Sequence, residues 1–73
     1  MNFPSRDTIK ALRSTYPEGT RIALVEMSDP YAKLAPGDQG TVAFVDDAGG
    51  VHIQWDCGST LAAIHGVDRI RKI

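Results

Sequence analysis

From Thr20 onward the chain breaks into short runs rich in β-branched and aliphatic residues, each closed off by Gly, Pro or Asp. This spacing restricts the fold more than any other feature. Runs of that length read as strands, and strands so closely spaced leave no room for the crossover helices that a parallel sheet needs. The runs are TRIALVEM (20–27), GTVAFV (40–45), VHIQW (51–55), STLAAI (59–64) and VDRIRKI (67–73). The third alternates strictly, with Val51, Ile53 and Trp55 on one face and His52 and Gln54 on the other. Between the runs, DDAGG reads as a hairpin loop whose glycines accept positive φ, and His65–Gly66 as a tight turn. PGDQGTV has glycines spaced for a tight turn feeding a strongly bent strand; it lacks the glycine pattern and lysine of a phosphate loop. Five short strands predict a mainly β fold closed into a small barrel.

The preceding segment follows a different period. PSRDTIKALRSTYPEG predicts a short helix over residues 5–16, with Ser5 as N-cap, Asp7 in the first turn, and Pro17 and Gly19 ending it. Ile9, Leu12 and Tyr16 form a narrow apolar stripe, and Arg6, Lys10 and Arg13 form a basic row beside it. About ten residues cannot sustain a helix in water, so packing on the barrel must hold it. The organisation expected is one domain over residues 1–73, with a helix at 5–16 and a barrel at 20–73. The predicted core is Ile9, Leu12, Ile22, Leu24, Val42, Val45, Val51, Ile53, Trp55, Leu61, Val67 and Ile70.

Composition narrows the setting. A chain of 73 residues buries only roughly 60% of the surface its unfolded form exposes, so its stability is expected to be modest. Its single cysteine, Cys57, favours a reducing compartment over a disulfide scaffold. MNFPSRDTIK lacks the apolar stretch of a secretory signal, and no run approaches the ~20 apolar residues of a membrane span. A cytoplasmic protein without membrane contact is expected. The net charge of −1 argues against a generally basic nucleic-acid binder, but the charge is uneven. Residues 1–25 carry four basic and two acidic side chains, a net +2; residues 26–68 carry one basic and seven acidic, a net −6; residues 69–73 add +3. Basic ends bracket an acidic middle.

The densest cluster of reactive residue types is WDCGST (55–60). Asp56, Ser59 and His65 contain the ingredients of a catalytic triad, but Ser59 lacks a Gly-x-Ser-x-Gly elbow and His65 lies beyond a strand. A turn accounts for every residue: Trp55 in the core, Asp56 accepting the turn's own N–H groups, Gly58 supplying positive φ, and Ser59 satisfying another turn group. His52, Asp56, Cys57 and His65 lack metal-ligand spacing, and Cys57 reads as a surface thiol at a turn tip. No catalytic residue, metal or cofactor is expected. MSDPYAKLAPG is long for so small a domain, which suits a functional loop. Either Tyr31, with Asp29 beside it, is an exposed contact, or Tyr31 and Leu34 fold back to close one barrel end. The basic row Arg6, Lys10 and Arg13, together with Arg21 and the basic residues Arg69, Arg71 and Lys72, could merge into a phosphate-gripping patch.

RIALVEMSDPY, PGDQGTV, VDD, VHIQWDCGS and GVDRI together resemble an uncharacterised domain-of-unknown-function family of small proteins from bacteria, plasmids and phages, over residues 5–73. GTV followed by VHIQWDCGS is also similar to the Gly-Thr-Val and Trp-Asp-x-Gly signature of Mind-bomb/HERC2-type SH3-like barrels, which are protein-interaction modules. GDQGTV is similar to the core of KOW-type barrels, which bind RNA or ribosomal and transcription partners. The chain departs from the first in having Ile64-His65-Gly66 where an arginine-glycine element is expected, and it lacks the aromatic row of proline-binding SH3 domains. These resemblances imply a five-stranded SH3-like barrel with a short N-terminal helix. The function expected is a non-enzymatic module binding a protein partner through Asp29, Pro30, Tyr31 and Asp56. The link with mobile elements implies an accessory or anti-defence role for such a module. The alternative is a nucleic-acid-binding domain using Arg6, Lys10, Arg13, Arg21, Arg69, Arg71 and Lys72. A monomer or weak homodimer is expected.

Overall fold

The computed structural model describes residues 4–29, 31 and 33–73. The mainly β fold expected from the sequence is the one formed: a short helix followed by five antiparallel strands in a single sheet. Helix α1 spans Arg6–Thr15, and the strands are β1 (Arg21–Glu26), β2 (Gln39–Val45), β3 (Gly50–Trp55), β4 (Ala63–Ile64) and β5 (Arg69–Lys72). The strand order is β4-β3-β2-β1-β5. The sheet is therefore a meander whose fifth strand returns to lie beside the first. The two end strands are joined by a tight turn and share no ladder, so the barrel-like sheet keeps a seam between them.

Helix α1 starts where the Ser5 hydroxyl accepts the Thr8 N–H at 3.2 Å, and it ends as the Tyr16 N–H donates to the Leu12 carbonyl, with Pro17 next. Ile9 and Leu12 are buried and Tyr16 packs against the core. Those two buried side chains contribute roughly 1.5–3 kcal/mol each, enough to hold a helix too short to persist alone. A second tie comes from Arg13, whose guanidinium donates to the Val45 carbonyl at 3.2 and 3.3 Å.

The inner face of the sheet carries Ile22, Leu24, Val42, Val45, Val51, Ile53 and Trp55, all buried as expected. Val42 and Val45 can share that face because a bulge lies between Val42 and Phe44. The same bulge turns Phe44 outward, opposite His52. Gly40 sits where β2 crosses closest to β3. A Cβ there would lie 2.6 Å from Ile53 Cγ2 and 3.0 Å from the Gln54 carbonyl oxygen, so no larger residue fits without a shift.

Two parts of the expected core are corrected. Leu61 is 38% exposed because the Trp55 indole N–H takes the Leu61 carbonyl at 2.8 Å and the Trp55 N–H takes the Ser59 carbonyl. Residues 59–61 thus wrap the tryptophan, β4 shrinks to Ala63–Ile64, and Ala63 fills the buried place. Val67 is 55% exposed because the Val67 and Asp68 N–H groups both donate to the Ile64 carbonyl. That turn delays β5 until Arg69, and Ile70 is only partly buried. No helix among the described residues is long and apolar enough to cross a membrane.

Candidate functional site

The long β1–β2 loop is anchored at both ends. At its start, the Ser28 N–H and hydroxyl both donate to Asp68 Oδ1, at 3.0 and 3.3 Å, while Asp68 Oδ2 accepts the Ile64 N–H. One carboxylate therefore ties the loop to the β4–β5 turn. At its end, the Gly37 N–H donates to the Leu24 carbonyl and the Ala35 N–H to Asp38 Oδ2. Met27 and Leu34 pack against the core. Tyr31 does not: its side chain is 90% exposed. The Tyr31 N–H donates to Asp29 Oδ1 at 2.9 Å, a turn closed by the aspartate side chain. Of the two arrangements open from sequence, Leu34 takes the inward one and Tyr31 the outward one. Pro30 lies outside the described residues.

Asp56 occupies the neighbouring rim, where its N–H donates to the Gln39 carbonyl at the end of this loop. Its carboxylate does not serve the turn's own N–H groups, as the sequence suggested. It forms a two-pronged pair with Arg21, at 2.8 and 2.6 Å, and Arg21 also donates to Thr41 Oγ1 and Gln39 Oε1. The reason is register: Arg21 lies opposite Thr41, two positions along β2 from Gln39, whose carbonyl accepts the Asp56 N–H. Hydrogen bonding to Arg21 holds the Asp56 carboxyl below its usual range and raises the guanidinium above its own. Two residues assigned from sequence to rival sites are thus each other's partners. The remaining turn residues follow expectation: Gly58 has φ 96°, Ser59 Oγ accepts the Leu61 N–H, and Cys57 is an exposed free thiol.

The cations divide into two groups. Arg13 pairs with Asp47 at 2.7 Å, and Arg21 is held by Asp56. Arg6, Lys10, Arg69, Arg71 and Lys72 form no ion pair among the described residues. The β1–β5 ladder places Arg71 opposite Ala23, two positions along β1 from Arg21, and Lys72 Nζ lies 6.0 Å from the centre of the Tyr16 ring. The basic strand thus reaches both Arg21 and the end of the helix.

A second cluster escaped the sequence reading. Asp46 closes the β2–β3 hairpin: Oδ1 accepts the Ala48 and Gly50 N–H groups at 2.9 and 2.8 Å, and Oδ2 meets His52 Nε2 at 2.7 Å. The Gly50 N–H, then His52, pull the Asp46 carboxyl below its ordinary range. The His52 ring stacks on Phe44, centroids 4.2 Å apart and planes 10° from parallel. The available signal was an aspartate opening a Gly-Gly hairpin, with a histidine just beyond it. Asp56, Ser59 and His65 are not joined by any hydrogen bond among the described residues.

With this geometry in hand, comparison with known proteins gives one grouping. A family model described as Domain of unknown function (DUF4314) matches residues 5–73. The chain belongs to this family. No curated protein and no solved structure matches it. The DUF4314 match spans α1 and all five strands, so the helix is part of the family's domain and not an appendage to the sheet.

Proposed function

We propose that this DUF4314 domain is a small SH3-like interaction module that binds a protein partner through its β1–β2 loop, without catalysing a reaction. The observation that carries this reading is Tyr31: a large aromatic ring, 90% exposed, on a loop whose two ends are fixed by side-chain carboxylates. A tyrosine ring supplies a large contact area with few rotatable bonds to immobilise on binding, which is why tyrosine recurs at the centres of interfaces. The flanking Asp29 spends one oxygen on the Tyr31 N–H, and its other accepts no hydrogen bond among the described residues. Asp56, expected as a further contact, would reach a partner only as half of its pair with Arg21. Asp46, Asp56 and Ser59 have duties in the fold: Asp46 with His52, Asp56 with Arg21, and Ser59 Oγ with a backbone N–H.

The nucleic-acid reading rests on fewer cations than the sequence offered, since Arg13 and Arg21 already hold carboxylates. A pull-down from native-host lysate, with and without nuclease, separates the two. The expected result is a defined protein retained after nuclease treatment, lost with Tyr31→Ala and kept with Lys10→Glu. Loss of all bound material on nuclease treatment, with steep salt dependence, would favour the basic groups instead.

A further inference from the structure

We propose that the outer edge of β5 is a strand-addition site for an extended peptide in which acidic and apolar residues alternate. This site lies away from Tyr31 and does not depend on the loop reading. Strand β5 ends the sheet order and pairs with β1 alone. The Ile73 N–H donates to the Arg21 carbonyl at 3.2 Å, and antiparallel alternation then directs the N–H and C=O groups of Ile70 and Lys72 away from β1. Neither residue joins any other backbone hydrogen bond among the described residues. Room exists beside this edge. Strand β4 shares no ladder with β5, and no Cα of α1 lies within 8 Å of a Cα of β5. A groove of about 420 Å³ runs between them, walled by the small side chains Thr8, Ala11 and Thr15 on the helix and floored by Leu12, Ala63 and Ile70.

Charge selects the occupant. Arg69 and Arg71 are exposed and Lys72 flanks them, none in an ion pair among the described residues. Two carboxylates lie beside them: Asp68, on the groove wall, is committed to Ser28 and Ile64, and Glu26 faces Arg69 across the β1–β5 ladder. A second copy of β5 lying antiparallel would set these cations against their like, which is how edge strands avoid pairing with themselves. An acidic strand reverses the sign of that term. Because strand side chains alternate, one face of the incoming peptide meets the groove floor and wants apolar residues, while the other meets the arginines and wants carboxylates.

The test uses the full chain, ¹⁵N-labelled, titrated with an acetylated hexapeptide of alternating Glu and Val. The same peptide N-methylated at alternate residues, a Lys/Val counterpart and a dT12 oligonucleotide serve as comparison probes. The expected result is saturable amide shifts at Ile70 and Lys72, unchanged by Tyr31→Ala, with affinity at least tenfold lower for the N-methylated peptide, the Lys/Val peptide and dT12. Arg71→Glu should weaken the Glu/Val peptide by a similar factor while leaving the remaining amide spectrum folded. Equal binding of the N-methylated peptide or of dT12 would reduce the edge to a generic anion patch and overturn the proposal. So would shifts confined to the β1–β2 loop, an absence of shifts, or self-association of the free protein through β5.

Discussion

The two turns flanking β2 solve opposite problems. The β2–β3 hairpin is over-determined: one carboxylate takes two backbone N–H groups and a histidine, and the histidine is stacked on a neighbouring aromatic. The β1–β2 loop is tied by Asp68 and Asp38 and packed by Met27 and Leu34, while Tyr31 between them stays exposed with its N–H bonded to Asp29. In a domain with so little core, the hairpin gathers polar stabilisation where strand register must be set. The loop leaves its largest side chain free of structural duty. A side chain with no part in the fold is free to meet a partner.

The comparison can be broken most severely from beneath. Trp55 underlies the sheet and holds residues 59–61 around its indole. Trp55→Ala should cost about 3–5 kcal/mol in urea unfolding, a large share of the stability of any small domain. Gly40→Ala forces a methyl group against Ile53 and the β3 backbone. It should cost about 1–3 kcal/mol as overpacking, visible as a lower midpoint at unchanged slope.

Asp46→Ala tests the hairpin directly. Three hydrogen bonds go with it, but the carboxylate is partly exposed, so a loss of about 1–2 kcal/mol is expected. The loss should also depend on pH. Because the folded carboxyl titrates below its ordinary value, its contribution is complete above the unfolded range near about 4 and drains away as pH falls through the lower folded value. Unfolding curves of wild type and Asp46→Ala should therefore converge on acidification. Wild-type stability that stayed ahead at low pH would mean that the hairpin is held by something other than the carboxylate.

The smallest effect sharpens the contrast from the other side. Tyr31→Ala should change stability by less than about 0.5 kcal/mol while abolishing retention of a partner. A large loss of stability would show that the ring packs in solution and remove the basis for the loop reading.

Local periodicity carried most of the fold. Ser5, Ile9 and Leu12 announce the helix, and the alternation Val51-Ile53-Trp55 announces the buried strand, because both depend on neighbours four or fewer positions away. Where the pattern misled, a longer-range bond had taken over. STLAAI reads as a strand until the Trp55 indole claims the Leu61 carbonyl, and VDRIRKI reads as one until the Ile64 carbonyl gathers two N–H groups. The candidate site was legible only in part. Tyr31 stands out in a long loop, but nothing near Arg21 in the sequence points to Asp56, since only the sheet register brings them together.

The placement of β1 between β2 and β5 has a consequence for synthesis. A nascent chain that has emerged as far as Ile64 can form the β1–β4 meander, yet one side of β1 stays bare until Arg69–Lys72 follow. Leu24 and Ile70, which face each other across that last ladder, are separated in the chain by the whole of β2, β3 and β4. Cooperative folding must therefore wait for β5, and until then the open side of β1 is a site for mispairing with other emerging chains. Residues 69–72 are in this sense the clasp of the domain.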